Sequence, residues 1–331
     1  MNGKDTEKFL EKLNNVEWDL IATGGYGSVY KPSDKFEEVG LKIVKKEYLL
    51  SNEQVMVAKN RILEAAKMLQ KINLSRFVLP ILHFTETPEK ICLYMEEIEP
   101  GSLNGNFWRK KNEMLTEKCV MEIAWQVASA LSEIHAKSVI HRDIKPANVL
   151  YSEKNRKILL SDFDLSRFNC DNWTNTKAGT PLYSPPEILT ETEGAYTNKC
   201  DLWSFGVFIF ELLFQELPIR KIGSKTPKRC VLDFKEHALL FPNKRKISTS
   251  VIRIIKSLLM VDPTKRPDAK SLVTTIEAYF LEKGPLPNLE VLSITTEEVP
   301  DIATEFEMFF DPLLPNSIHR LMIFLPKLTS A

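Results

Sequence analysis

Three features of this 331-residue chain predict an α+β fold, with a smaller mostly-β part carrying one major helix and a larger mostly-α part after it. Between Val16 and Met95 the apolar residues recur at strand-like spacing, interrupted by one helical stretch near Glu53–Ile72. From Ser102 onward the pattern turns helical. Thr116–Ala136 sets Val120, Ile123, Ala124, Val127, Leu131 and Ile134 on one face, and Asp201–Leu213 is apolar on most faces, as a central buried helix must be. Between these two helices lies a short polar loop, His141–Leu150, which puts a carboxylate, an ammonium and a carboxamide within six positions.

Composition sets outer limits. Lys plus Arg and Asp plus Glu each number 44, so the formal net charge is zero and bulk charge gives no attraction to nucleic acid or an anionic membrane. A 44% hydrophobic and 27% charged composition suits a globular chain with a sizeable core. Cys92, Cys119, Cys170, Cys200 and Cys230 are scattered and odd in number, which fits a reducing compartment and argues against a disulfide framework or zinc site. The N-terminus holds no apolar secretory core, and Asn2 directly after Met1 breaks the myristoylation pattern. Phe205–Phe214 is too short to span a bilayer and contains Glu211. The expected location is cytoplasmic or nuclear, with no membrane span.

In chain order, residues 4–15 read as an amphipathic helix with Phe9, Leu10 and Leu13 on one face. The run Ile21–Val29 is glycine-rich, with Gly24, Gly25 and Gly27; missing side chains let backbone N–H groups approach phosphate oxygens. Val39–Lys42 reads as a strand ending on a lysine, and Ile91–Met95 as a strand running into Glu96–Gly101. In the polar loop Asp143 can take a proton from an attacking hydroxyl, Lys145 can neutralise charge on a moving phosphoryl group, and Asn148 can offer a neutral oxygen to a divalent metal. The apolar run Ile158–Leu160 leads into Asp162-Phe163-Asp164, where Asp162 suits a hard cation.

Taken together and in this order, these segments resemble the eukaryotic-type serine/threonine protein kinase family. His141–Asn148 matches its catalytic loop H-R-D-x-x-x-x-N, Asp162–Asp164 its D-F-G element with Asp for Gly, and Val39–Lys42 its V-A-I-K strand. Ala22, Gly24 and Gly27 stand at the three glycines of G-x-G-x-x-G-x-V. Pro185-Pro186-Glu187 stands for A-P-E, and Arg266 in Asp262–Pro267 is the expected partner of Glu187 in a structural ion pair. Lys145 together with Gly179-Thr180-Pro181-Leu182-Tyr183 points to serine/threonine acceptors.

The resemblance implies a two-lobed fold over residues 16–283: a small lobe at 16–95, a hinge at 96–101 and a large lobe at 102–283. Residues 1–15 form an N-terminal helical extension and 284–331 a C-terminal one. It implies transfer of the γ-phosphoryl group of ATP to a protein Ser or Thr, with Mg²⁺. Lys42 would anchor the α/β-phosphates, Asn148 and Asp162 hold Mg²⁺, Asp143 orient and deprotonate the hydroxyl, Lys145 contact the γ-phosphate, and Thr180 bridge Asp143 and Lys145. ATP would lie among Ala22, Gly24, Gly25, Gly27, Val29, Gly40, Met95, Leu150 and Ser102, with adenine on the backbone at Glu96 and Ile98. Asp201 would accept N–H bonds from the catalytic loop.

The helix near 53–72 should carry a glutamate paired with Lys42. Glu64 is the expected one, although aligning Lys67–Ile72 with the family puts Ala65 there, a step of about 100° around the helix. Thr176, with Thr174 as alternative, is the expected site for an upstream activating kinase, and Arg142 supplies a cation for its phosphate. The competing reading is a pseudokinase that scaffolds around bound nucleotide. Ala22, Gly40, Asp164 and the unsettled Glu64 favour it; Lys42, Asp143, Asn148 and Asp162 oppose it. Phe306–Phe310 and Leu321–Leu325 are too apolar for a solvated tail and should pack back on the catalytic domain or bind a partner. The first of these clusters resembles the hydrophobic motif that AGC-kinase tails dock on the small lobe.

Overall fold

The computed structural model describes residues 11, 13, 16–23, 27–33, 39–45, 52–71, 76–103, 113–168, 179–189, 197–218, 239–243, 245–292, 294–298 and 306–308. Gly24, Gly25, Thr174, Thr176, most of the expected 4–15 helix and the Leu321–Leu325 run lie outside these residues.

The small lobe is an antiparallel sheet of five strands in the order β1-β2-β3-β5-β4: β1 (Trp18–Thr23), β2 (Ser28–Pro32), β3 (Val39–Lys45), β4 (Ile81–Glu86) and β5 (Lys90–Glu96). Helix α1 (Asn52–Lys71) packs on it. Ile62, Leu63 and Ala66 of α1 bury against Val44, Ile91 and Leu93 of the sheet, which makes a small separate core. The extended link before β4 is tied down in the large lobe, where Leu160 N–H donates to Phe77 O (2.8 Å) and Leu79 N–H to Leu160 O (2.9 Å).

After the short strands β6 (Pro100–Ser102) and β7 (Glu113–Leu115) comes α2 (Glu117–Ala136). Its start is fixed by Thr116, whose hydroxyl accepts from Cys119 N–H at 3.2 Å, a conventional N-cap. Strand β8 (Val139–Ile140) precedes the polar loop, and β9 (Val149–Ser152) with β10 (Lys157–Leu160) forms the hairpin after it; β11 (Arg167–Phe168) pairs with β8. A one-turn helix α3 (Pro186–Leu189) and the long α4 (Lys199–Phe214) follow. Helix α4 is buried almost all round, as its mostly apolar sequence requires: Trp203, Phe205, Phe208, Phe210 and Phe214 are at most 1% exposed. Strand β12 (Leu240–Pro242), α5 (Thr249–Leu258) and α6 (Ala269–Lys283) complete the lobe.

The chain beyond α6 stays on the large lobe. Buried Gln126 of α2 donates to Leu289 O and accepts from Ile158 N–H, both at 2.8 Å. Leu289 and Leu292 are buried. Strand β13 (Thr296–Glu298) pairs with β7, and β14 (Phe306–Met308) with β12. Residues 306–308 are thus a strand paired on the large lobe and not a segment docked on the small one, while Phe309 and Phe310 lie outside the described residues. Among the described residues no helix is long and apolar enough to cross a membrane.

Candidate active site

The two lobes face each other across a cleft of about 810 Å³. Its roof is Ala22, Val29 and Gly40, its floor Leu150, and its edge Glu96, Ile98 and Ser102; Met95 stands at the inner end. A Cβ on Gly40 would touch Met95 Cγ at 3.5 Å, ordinary contact, so the glycine there only widens the roof slightly. Gly27 is different. A Cβ there would sit 2.5 Å from Ile43 O, so close packing of the β1–β2 turn on β3 demands glycine.

The polar loop is held from below. The buried Asp201 carboxylate accepts His141 N–H (2.8 Å) and Arg142 N–H (2.7 Å) and takes a third contact from His135 Nε2 (2.9 Å). Burial alone would raise its pKa; the bond from His135 and the nearby charges outweigh this and hold it below the usual carboxylate value. Asp143 N–H donates to His141 Nδ1 (3.2 Å), so His141 Nε2 carries the proton it gives to Ser161 O (2.9 Å). The His141 ring meets Phe163 edge-on, with centroids 4.7 Å apart. These bonds keep Arg142 (φ 69°) and Asp162 (φ 63°) in left-handed backbone, which costs about 1–3 kcal/mol per residue.

The Asp143 carboxylate is gripped on both oxygens. Oδ1 accepts from Thr180 N–H (3.0 Å) and Thr180 Oγ1–H (2.8 Å), and Oδ2 from Asn148 Nδ2 (2.8 Å) and Lys145 Nζ (2.7 Å). Lys145 Nζ also donates to Thr180 Oγ1 at 2.7 Å. Asp143, Lys145, Asn148 and Thr180 therefore form one bonded cluster at the cleft mouth. Gly179, just before Thr180, adopts φ 109°, and a Cβ there would lie 2.6 Å from Arg142 O. Only glycine brings the segment this close to the loop.

Across the cleft, Lys42 Nζ donates to Asp162 Oδ1 (2.8 Å) and Asp164 Oδ2 (2.6 Å). Burial would lower the Lys42 pKa, but the charges of Asp164 and Asp162 outweigh it and raise the value. Asp162 is lowered in turn: burial opposes ionisation, and the Lys42 ammonium overcomes it.

The expected Glu64–Lys42 pair is corrected here. Glu64 is exposed, while Ile62, Ala65, Ala66 and Leu69 are the α1 residues that line the cleft. The register defined by Lys67–Ile72 holds, and Glu64 is turned about 100° away. In the sequence Asp164 stands only as the residue replacing glycine after Phe163 and as a feature favouring a pseudokinase, and its carboxylate was not expected as a partner of Lys42. The signal was there: no glutamate in register on the helix, and an additional acid two residues after Asp162.

The residues fit a magnesium nucleotide. Asn148 Nδ2 is committed to Asp143 O and Oδ2, both at 2.8 Å, which leaves its amide oxygen as the atom offered to a cation. The Asp162 side chain is 37% exposed toward the cleft. Among the described residues no three His, Cys, Asp or Glu side chains are grouped to hold a metal unaided. Two oxygen ligands completed by phosphates and water are what Mg²⁺ ordinarily takes.

Comparison with known proteins agrees with this geometry. The sequence matches the family model described as protein kinase domain over residues 16–276. It is 31% identical over 276 residues to the ovarian-specific serine/threonine-protein kinase Lok of Drosophila melanogaster, covering 80% of this chain and 56% of that protein. It is 30% identical over 294 residues to calcium-dependent protein kinase 3 of Plasmodium yoelii yoelii (85% and 51%). It is 29% identical over 268 residues to serine/threonine-protein kinase 33 of Mus musculus (77% and 52%). The chain spans about half the length of the curated relatives it matches. With the family model covering most of its length and the catalytic loop, the Asp162 element and Lys42 gathered at one cleft, the chain belongs to the protein kinase domain family.

Proposed function

We propose that the cleft transfers the γ-phosphoryl group of ATP to serine or threonine hydroxyls of a protein substrate. The observation that carries this reading is the bonded cluster of Asp143, Lys145, Asn148 and Thr180 facing the Lys42–Asp162 pair across the cleft. Magnesium-bound ATP supplies the electrophilic phosphorus and a good leaving group. The acceptor oxygen forms a bond to that phosphorus, the bond to ADP breaks, and the acceptor proton passes to Asp143. Little covalent work falls to the protein, so positioning and charge neutralisation dominate. Asp143, fixed by four donors, orients the hydroxyl, Lys145 offsets charge on the moving group, and Lys42 anchors the α/β-phosphates. Asn148 and Asp162 would hold Mg²⁺, and the backbone at Glu96 and Ile98 would take the adenine.

Thr176, or Thr174, in the activation segment between Asp162 and Glu187, would be the target of an upstream activating kinase, since Arg142 lies beside the start of that segment with Nε bonded to Leu165 O (2.5 Å). Glu187 and Arg266 play no part in the chemistry; their role is to hold the large lobe together.

The scaffold reading rested on Ala22, Gly40, Asp164 and the unsettled Glu64, and two of these weigh less beside the Lys42 pairing. The missing helix glutamate does not leave Lys42 unpaired, and the groups that phosphoryl transfer needs are mutually bonded. The test is incubation with a mixed protein substrate and Mg²⁺ plus ATP labelled at either the γ- or the α-phosphate. Label from the γ position alone, lost with Asp143→Asn, is expected. Folded, nucleotide-binding protein that transfers neither label would favour the scaffold, and transfer from the α position would indicate nucleotidyl transfer.

A further inference from the structure

The carboxylates around Lys42 differ in the work they face. Lys42 is largely enclosed, its side chain 12% exposed, and an ammonium so withdrawn from water is costly unless paired. Asp162 is one partner, but it is also the carboxylate proposed above for the magnesium ion, which would compete for its oxygens. Among the described side chains of helix α1 none offers a carboxylate in its place, because those that line the cleft are Ile62, Ala65, Ala66 and Leu69. The remaining carboxylate is Asp164, with a side chain 7% exposed and Oδ2 at 2.6 Å from Nζ. It reaches Lys42 because Phe163 turns into the core against His141 while its two neighbours turn to the cleft.

We propose that Asp164 is the positioning residue for Lys42: it holds the ammonium in place for the α/β-phosphates while Asp162 serves the metal. The inference rests on the kinase reading above and deepens it. Its consequence is regulatory. With the pairing carboxylate on the Asp162–Asp164 segment, moving α1 toward or away from the cleft neither makes nor breaks the lysine's ion pair. Anchoring of the phosphates depends instead on the segment that also carries the metal ligand, so both are assembled or lost together.

Three variants test it: Asp164→Asn, which keeps the shape; Asp164→Gly, which removes the carboxylate; and Asp164→Gly combined with Ala65→Glu, which returns a carboxylate from the helix. Each is measured for binding of a fluorescent ATP analogue by anisotropy, for kcat and KM of ATP, and for its unfolding midpoint. Loss of one charge-assisted bond predicts affinity weaker by about tenfold or more in both single variants. It also predicts a fall in kcat and, in the combined variant, recovery of most of the lost affinity and turnover. Wild-type affinity and kinetics in folded Asp164→Gly would overturn the proposal. So would losses in both single variants that Ala65→Glu does not recover, because they would make Asp164 merely structural. A wild-type protein that transfers no phosphate would sink the kinase reading alone, since the binding measurements still report on the pairing of Lys42.

Discussion

Arg266 and Glu187 are joined by two parallel hydrogen bonds, Nη1 to Oε1 at 2.7 Å and Nη2 to Oε2 at 2.8 Å, with the arginine side chain fully buried. The guanidinium also donates to Met260 O (2.8 Å) and Lys199 O (2.9 Å) and lies over the Trp203 ring at 5.1 Å. One ion pair thereby ties α3, at the end of the activation segment, to α4 and to the loop before α6. Removing either member leaves a buried charge without its counterion, so Glu187→Gln or Arg266→Ala should cost about 3–5 kcal/mol in denaturant unfolding. Arg266→Lys should recover little of it, because an ammonium cannot make the fork. A loss under about 1 kcal/mol for all three would show the pair to be dispensable.

Glu117 gives a pH-dependent prediction. Its carboxylate takes Ser248 N–H (2.6 Å), Ser248 Oγ (2.8 Å), Tyr279 OH (2.8 Å) and Lys283 Nζ (2.7 Å), which joins the starts of α2 and α5 to the end of α6. Burial would raise its pKa, but the bonds from Lys283 and Ser248 outweigh that and lower it below the ordinary 4.5. A lowered folded value means its stabilisation is fully present above the ordinary value and is lost as pH falls through the folded one. The stability gap between wild type and Glu117→Gln should therefore narrow on acidification from about pH 5 to about pH 3. A gap that stays constant over this range would contradict the assignment.

Gly179→Ala isolates the join between the activation segment and the catalytic loop. The φ of 109° is unfavourable for alanine, and the new methyl would press on Arg142 O at 2.6 Å. Displacing Thr180 from Asp143 and Lys145 should reduce kcat by about 10²-fold and leave KM for ATP nearly unchanged, since the cleft roof is untouched. An equal rise in KM would mean that the segment shapes the nucleotide site as well.

Glu64→Ala distinguishes the observed helix register from the one the sequence favoured. The side chain is exposed and away from the cleft, so KM for ATP and kcat should stay within about twofold of wild type, the small effect usual for surface positions. A tenfold loss would restore Glu64 as the partner of Lys42.

Much of the fold was readable because local rules and tertiary demand agree. The α2 helix begins one residue inside the expected Thr116 because that threonine caps it, and the apolar α4 is buried as its composition required. The loop residues Asp143, Lys145 and Asn148 were legible because their chemistry is packed into six positions. The Glu64 error arose where local pattern was silent: Ala65 and Glu64 both suit a helix, and only the contact with the sheet decides which one faces the cleft. Asp164 was only half legible: the extra acid two residues after Asp162 was visible, but its pairing with Lys42 spans 122 residues. The pairings of β13 with β7 and β14 with β12 were equally hidden, because strands of three residues carry almost no periodicity of their own.

The most direct test is transfer of γ-phosphate from Mg²⁺–ATP to peptide libraries that differ only in a fixed serine, threonine or tyrosine acceptor, with Asp143→Asn as the matched control. Labelling of the serine and threonine libraries but not the tyrosine library, reduced about 10²–10⁴-fold by Asp143→Asn, is the expected result. Labelling of none of them by folded, ATP-binding protein, or equal labelling by Asp143→Asn, would contradict it.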